Sequence, residues 1–394
     1  MKIEGIQGLR ALAANLVLFF HVTGNERLQI SLAGSSESPL FGTLFNQGFV
    51  GVDLFFVISG FIMAYVTHDL TRGLGGVKQF MLARLFRIYP VWWLFAGILA
   101  ILSLAMAGTL WHPDAFNAAE GNGYLFMLKS FLLIPQDNLP SLNVGWTLIH
   151  EMGFYLIFAG LLFLPRKLLP AGLAVWAVVV MAGFVLASQL SLSDATLEVL
   201  LSPMSLEFIL GAFAGFAFAS GFRKFQLPAF IVGLIGAVIA YPLVSASMAE
   251  GDRLIVVAYF ALPFTLMVYG ATGLDAALKE NPLFRGAARL GDGSYSLYLC
   301  HPIVLLVLPK VMQLTAQILM SVGLRASSVS FLLVGSEGII DNLVFNLLAI
   351  LGSTLCAGVT FYIFERPVLR FLNGQFRKPQ ADKEKARLNE TVAP

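Results

Sequence analysis

Residues 48–66, GFVGVDLFFVISGFIMAYV, form an apolar run that carries one charged side chain, that of Asp53. An α-helix rises about 1.5 Å per residue, so about 20 such residues cross the hydrocarbon core of a bilayer. The run therefore predicts a membrane-spanning helix that buries a carboxylate. A buried carboxylate is costly in hydrocarbon, which makes Asp53 a candidate functional residue as well.

The rest of the 394-residue chain has the same character. Hydrophobic residues make up 58% of it and charged residues 12%, with a mean hydropathy of +0.80. Soluble domains carry about 25% charged residues, roughly twice this share. The net charge of +2 gives no reason to expect a nucleic-acid partner. Composition thus predicts an integral membrane protein in contact with membrane lipid.

Windows of bilayer length predict an all-α, polytopic protein of about ten transmembrane helices. The predicted helices lie near 8–24, 48–66, 88–108, 146–164, 171–188, 203–220, 228–247, 254–272, 294–312 and 343–364. The apolar stretch 124–134 is too short to span and predicts a re-entrant or interfacial segment; 330–334 is a further doubtful stretch. No small-residue cleavage site follows the first run, so it is interpreted as a retained helix rather than a signal peptide.

The distribution of Lys and Arg predicts that both termini are cytoplasmic. With the N-terminus inside, 20 of the 25 basic residues fall in inner segments and 5 in outer ones. Such a bias is typical of cytoplasmic loops. The long loops 109–145 and 313–342 then face outward. Residues 1–373 are interpreted as one transmembrane domain, and residues 374–394, charged and polar, as a disordered cytoplasmic tail.

Four titratable side chains are predicted in the outer half of the bilayer: those of His21, Asp53, Glu151 and Glu207. Ionisable groups at one depth on four helices suggest a single polar chamber that opens outward. The alternative is that they form hydrogen bonds between helices and only fix the packing.

Two arginine motifs are predicted at the cytoplasmic side. Arg10 and His21 are eleven residues apart, which places them on one helix face about 16 Å apart along the axis. Arg84 and Arg87 share a face just before the third predicted helix. Arg84 and Arg87 either anchor the helix as ordinary cytoplasmic cations or bind phosphate groups, which arginine holds bidentately. Arg10 could likewise be a cytoplasmic anchor, with His21 a satisfied interfacial histidine.

Other side chains give weaker signals. His301 lies inside a predicted helix and must find a partner, structural or catalytic. His150 points about 100° away from Glu151 around the helix, so the two need not share a site. Gly211 and Gly215 form a small-xxx-small pattern that predicts a helix-packing face. The two cysteines match no metal-ligand spacing, and we expect no metal.

Several segments together resemble acyltransferase family 3, bacterial membrane enzymes that O-acylate surface and exported glycans. They are GIQGLRALAANLVLFFH (5–21), NQGFVGVDLFFVISGFIM (46–63), FMLARLFRIYPVWWL (80–94), NVGWTLIHEMGFYLIF (143–158), SLEFILGAFAG (205–215), LGDGSYSLYLCHP (290–302) and FERPVLRFL (364–372). The resemblance covers roughly residues 3–373 and is nearest to exopolysaccharide O-acetyltransferases of the succinoglycan type. One departure is His150, where relatives usually carry an aromatic residue.

This resemblance implies a function: transfer of an acyl group, with acetyl expected, from acetyl-CoA or another acyl-CoA to a glycan or lipid-linked sugar at the bacterial inner membrane. It implies a donor site and a catalytic base, here assigned to three arginines and to His21. Alcohols are poor nucleophiles at neutral pH and need such a base. The assignments are Arg10, Arg84 and Arg87 for the donor, His21, Asp53 and Glu151 for catalysis, and Trp146, Glu207 and His301 for substrate binding.

In that scheme Asp53 or Glu151 orients the imidazole of His21, as an acid does in other acyl-transfer triads. Two other classes of protein were weighed. A proton-coupled permease would use the outer-half acids as a proton relay but does not require paired cytoplasmic arginines. A purely structural membrane scaffold would leave several intramembrane acids at one depth without explanation.

The predicted topology can be tested by labelling single cysteines with a membrane-impermeant thiol reagent. A cysteine at Asn117 should react from outside the cell, and one at Asn389 should react only in inverted vesicles, because the two positions lie on opposite sides. Equal reaction of both from outside would show that the topology is wrong.

Overall fold

The computed structural model describes residues 3–112, 114–117, 121–190, 193–245, 253–275, 282–336 and 338–374. Within these ranges the chain is helical with no strand, which confirms the all-α class. In this part of the chain, ten helices are long and apolar enough to cross a membrane, as predicted. The tail beyond residue 374 lies outside the described residues, so the interpretation of it stays a prediction, as does the sidedness of the termini.

The helices are numbered here in chain order. They are α1 (Glu4–Leu32), α2 (Gly51–Val66), α3 (Leu74–Ala107), α4 (Gly123–Leu132), α5 (Trp146–Leu161), α6 (Leu169–Gln189), α7 (Ala195–Leu200), α8 (Ser205–Ala219), α9 (Gln226–Ala240), α10 (Arg253–Ala271), α11 (Pro282–Asp292), α12 (Ser294–Ser321), α13 (Ala326–Val329) and α14 (Ile339–Thr360). Short 3-10 turns precede α2, α5 and α6, and a π-helical turn, Phe361–Glu365, follows α14. The predicted short apolar segment is α4, too short to span.

Three membrane helices are longer than predicted. The first extends over Glu4–Leu32 and the ninth over Ser294–Ser321, beyond its predicted end at 312. The third begins at Leu74, so the placement of Arg84 just before it was wrong. The added turns mix polar or basic residues with apolar ones, so their average hydropathy is too low for a window of bilayer length to include them. The consequence is that Arg84 and Arg87 lie inside a continuous membrane helix.

Glycines let α2 and α8 pack with their backbones in contact. A Cβ atom placed on Gly60 would lie 1.9 Å from the carbonyl oxygen of Phe208, and one on Gly211 would lie 2.0 Å from that of Val57. Gly215 has a similarly close carbonyl, that of Phe61, at 2.3 Å. The predicted packing face of α8 is therefore confirmed, and α2 supplies the matching surface.

The amphipathic helix α11 covers the start of α1. A Cβ atom on Gly291 would lie 2.0 Å from the carbonyl oxygen of Gln7, so the two backbones touch. The amide of Gly5 donates a hydrogen bond of 2.9 Å to a carboxylate oxygen of Asp275. These contacts fix the turns of α1 that carry Arg10.

The outer surface of the bundle is apolar. On α6 and α9, for example, Val178 and Val238 are 68% and 64% exposed, while aromatic side chains such as Trp92, Phe154 and Phe208 fill the interior. Soluble proteins seldom expose apolar patches of this extent, but a lipid-facing surface requires them.

Substitution of Gly60 by Val should destabilise the bundle, because the added methyl groups overlap the backbone of α8. Overpacking of this kind costs about 1–3 kcal/mol or more, so the melting temperature in detergent should fall clearly. The matched control is Gly97→Ala, since no atom lies within 4 Å of a Cβ at Gly97. If both variants had the melting temperature of the wild type, the close α2–α8 contact would be contradicted.

Candidate functional site

A cavity of about 310 Å³ lies between α1, α2, α3, α5 and α12. Its size is at the lower end of the range of pockets that bind small molecules. Apolar side chains form much of its wall, and polar side chains from all five helices point into it. The polar lining residues are Gln7, Arg10, Ser59, Arg84, Arg87, Thr147, Glu151, Tyr155, Ser294, Tyr295 and Tyr298.

The structure brings the three predicted donor-binding arginines, Arg10, Arg84 and Arg87, into this one cavity. Arg87 forms an ion pair of 3.5 Å with the fully buried carboxylate of Glu365, to which Ser296 also donates a hydrogen bond of 2.6 Å. Nε of Arg84 and Nη2 of Arg87 are buried and have no hydrogen-bond partner among the described residues. Buried donors of this kind fit a bound anion, because leaving them unpaired is costly.

Glu151 lies in the same cavity and is held by α2 and by its own helix. It accepts a hydrogen bond of 2.6 Å from the Ser59 hydroxyl and a second bond, to the same oxygen, from the Tyr155 hydroxyl. Tyr155 follows Glu151 by four residues, so both project from one face of α5. The carboxylate is therefore fixed within the arginine-bearing cavity.

Tyr298 lines the same cavity. Its hydroxyl lies 2.8 Å from the Thr147 hydroxyl and 3.0 Å from the carbonyl oxygen of Val144, which joins α12 to the start of α5. Its ring contacts Phe55 at a centroid distance of 6.1 Å and His301 at 6.0 Å. The tyrosine thus stands between the cavity and a pair of histidines.

His21 and His301 form that pair, with ring centroids 4.9 Å apart and Nε2 of His301 3.3 Å from Nδ1 of His21. Each Nδ1 also faces the carbonyl oxygen one turn back in its helix, that of Val17 at 2.9 Å and that of Leu297 at 3.1 Å. Carbonyl oxygens only accept, so both Nδ1 atoms carry hydrogen. In neutral rings the Nδ1 hydrogen of His21 is then shared between the Val17 carbonyl and Nε2 of His301, and Nε2 of His21 keeps its lone pair.

Asp53 lies in a different cluster, with Arg253 and Glu207. Its carboxylate pairs with the guanidinium of Arg253 at 2.9 Å, and the buried carboxylate of Glu207 lies next to it. The guanidinium of Arg253 also sits 5.9 Å above the ring of Trp146. Asp53 therefore has a cation as its partner, supplied by the first residue of α10.

The single outer chamber predicted from depth is wrong in its grouping. Among the described residues, the four predicted members fall into three groups: His21 with His301, Asp53 with Glu207 and Arg253, and Glu151 with the arginines. The expected contact of Asp53 or Glu151 with the imidazole of His21 is replaced by the contact with His301. The position of a residue within an apolar run predicts its depth in the membrane. It does not predict which helices are neighbours.

Several residues of the site were missed by the sequence analysis. Ser59, Thr147 and Tyr298 are uncharged, so a search for intramembrane charges passes over them. Tyr155 carried a usable signal, its four-residue spacing from Glu151. Glu365 also carried one, because it is the acid of the FERP segment directly after the last predicted helix.

The remaining histidines lie elsewhere. His150 lines a second cavity together with Trp146 and is not among the residues that line the first. His68 and His112 lie in loops beside Asp69 and Asp114. Among the described residues, no group of three or more His, Cys, Asp or Glu side chains could hold a metal ion.

Comparisons with known proteins identify the family. The acyltransferase domain of acyltransferase family 3 matches residues 3–362. The chain is 32% identical to exopolysaccharide production protein ExoZ of Rhizobium meliloti, over 84% of this chain and 92% of the relative. It is 25% identical to acyltransferase MdmB of Streptomyces mycarofaciens, over 77% of this chain and 79% of the relative.

A shorter match is to peptidoglycan O-acetyltransferase OatA of Listeria monocytogenes, 27% identical over 42% of this chain and 25% of the relative. No solved structure matches the chain. With ten apolar helices and a family match over nearly its whole length, the chain belongs to acyltransferase family 3 and is a polytopic membrane member of that family.

Proposed function

We propose that this protein transfers an acyl group from cytoplasmic acyl-CoA to a hydroxyl of an exported or surface glycan, or of its lipid-linked precursor. The expected group is acetyl, and the expected location is the bacterial inner membrane. The observation that carries the proposal is the cavity itself: three arginines line it, and Tyr298 in its wall contacts His301 of the His21–His301 pair. The names of the relatives, an exopolysaccharide production protein and a peptidoglycan O-acetyltransferase, support a glycan acceptor.

The charge of the cavity suits an anionic donor. Three arginines, Arg10, Arg84 and Arg87, line it, and buried N–H groups of Arg84 and Arg87 have no hydrogen-bond partner among the described residues. In a site of low dielectric such groups attract phosphate strongly and can bind it bidentately. We therefore assign the arginines to the phosphates of acyl-CoA, whose flexible arm would extend toward Tyr298.

His21 is the proposed general base, acting through Nε2. That atom would take the proton of the acceptor hydroxyl as its oxygen attacks the thioester carbonyl, and the imidazolium would return a proton to the departing thiolate. His301 would accept the hydrogen bond from Nδ1 of His21 and so stabilise the imidazolium, the part that an acid plays in other triads. Glu151 would offset part of the positive charge of the arginines. Asp53 and Glu207 would hold Arg253 in place against the ring of Trp146.

Replacing Arg84 by Ala should weaken acetyl-CoA binding. Charge-assisted hydrogen bonds contribute about 1.5–3 kcal/mol, so the dissociation constant should rise about 10- to 100-fold. Arg84→Lys should restore binding only in part, because a point charge lacks the planar fork. Equilibrium binding of labelled acetyl-CoA to the protein in nanodiscs measures the effect.

Two controls separate donor binding from folding. Arg370→Ala removes an exposed arginine near the end of the last helix and should leave binding unchanged. Arg87→Ala also leaves the buried Glu365 unpaired, so it should be made together with Glu365→Gln. Normal affinity for acetyl-CoA in a folded variant lacking both Arg84 and Arg87 would contradict donor binding. It would favour the alternative that the two arginines are membrane anchors.

Replacing His21 by Ala should abolish glycan acylation while the fold and donor binding persist. Loss of a positioned base costs about 10²–10⁴ in rate. His21→Gln should be as inactive, because an amide cannot take the proton. Acyl transfer from labelled acetyl-CoA to glycan, followed by ester release with mild alkali, measures the rate.

His301 should respond differently from His21. His301→Leu removes the acceptor for the Nδ1 proton and should lower the rate strongly, whereas His301→Gln keeps an acceptor oxygen and should retain more activity. His112→Ala in a loop is the control. High activity of His21→Gln would show that His21 is not the base.

A further inference from the structure

A second cavity, of about 200 Å³, lies between the loop 135–140, the first turns of α5 and the short helix α7. Trp146 and His150 form its floor, and Asp137, Asn138 and Glu198 stand on its rim, exposed to solvent. The loop belongs to the segment 109–145 that the distribution of basic residues places outside. The cavity is thus predicted to open to the outer face.

Helix α5 is the wall between this cavity and the arginine-bearing one. Trp146 and His150 are four residues apart and share one face, while Thr147 and Glu151 share a face about 100° further around the helix. The first pair lines the outer cavity and the second pair lines the inner one. The Thr147–Tyr298 hydrogen bond then connects this wall to α12, the helix that carries His301.

The lining of the outer cavity does not suit the donor. Its described lining residues include no lysine or arginine and include two carboxylates, those of Asp137 and Glu198, which repel phosphate. Carboxylates and the Asn138 amide instead hydrogen-bond well to hydroxyl groups. An indole offers a broad flat apolar surface, which fits the C–H face of a sugar ring.

Two details indicate that the floor is built for a ligand. Nδ1 of His150 is buried with no hydrogen-bond partner among the described residues. An imidazole nitrogen without a partner can accept a hydrogen bond from a ligand hydroxyl. Trp146 is meanwhile supported by the guanidinium of Arg253, which Asp53 holds at 2.9 Å.

We propose that this outer cavity is a carbohydrate subsite that binds one sugar unit of the acceptor glycan, beside the unit that is acylated. This rests on the proposed function and adds to it a location for the acceptor. Trp146 stacks on the ring, His150 accepts from a hydroxyl, and Asn138 and Glu198 bind further hydroxyls at the rim. The two substrates then approach α5 on two faces of the helix that are about 100° apart.

The test is steady-state kinetics in nanodiscs with labelled acetyl-CoA and, as acceptor, the host's own polysaccharide freed of esters by mild alkali. Loss of one or two rim hydrogen bonds in the double variant Asn138→Ala/Glu198→Ala should raise the acceptor KM about tenfold. The KM for acetyl-CoA should not change. Trp146→Ala should raise the acceptor KM at least as much, and Trp146→Phe, which keeps a flat ring, should restore part of the loss.

The matched control is Thr196→Ala. Thr196 is exposed on α7, the helix that carries Glu198, but does not line the cavity. An unchanged acceptor KM in folded rim and Trp146 variants, with the wild type active, would overturn the subsite and leave the proposed function standing. A wild-type protein that binds acetyl-CoA but does not acylate the polysaccharide would overturn both.

Discussion

The cost of leaving a charge unpaired in hydrocarbon governs this structure more than any other constraint. Asp53 is fully buried and pairs with Arg253, and Glu365 is fully buried and pairs with Arg87. Each pair joins helices that are far apart in sequence. Charge pairing therefore fixes which helices are neighbours, while apolar packing alone would be satisfied by many arrangements. The cavity lies where this pairing is incomplete, because buried N–H groups of Arg84 and Arg87 keep no partner among the described residues.

Much of the fold could be predicted because the bilayer imposes a length on each apolar segment. The run 48–66 shows this directly, since its helical span in the structure, Gly48–Val66, has the predicted ends. The predictions failed where helices continue into amphipathic turns, as at the start of α3. There, basic side chains on one face lower the average hydropathy although the other face is still apolar.

The candidate site was predictable only in part, for a related reason. Helical spacing says that Arg84 and Arg87 share a face, and they do line one cavity with Arg10. Spacing says nothing about which face of another helix lies opposite. The partner of His21 is accordingly a histidine 280 residues away, and the partner of Asp53 is an arginine 200 residues away. Both pairings follow from how α1, α2, α10 and α12 assemble.

The hydrogen bond between Tyr298 and Thr147 has a further consequence, for the membrane itself. On the predicted topology, a cavity reaches into the bundle from the cytoplasmic side while another opens outside, and only the start of α5 and the side chains packed against it separate them. A continuous wet path would dissipate the proton gradient that the membrane maintains. Tyr298, with Phe55 against its ring, would supply a permeability barrier at that point. On the proposed function, the protein would have to admit a narrow acyl chain to the histidines while it stays closed to ions.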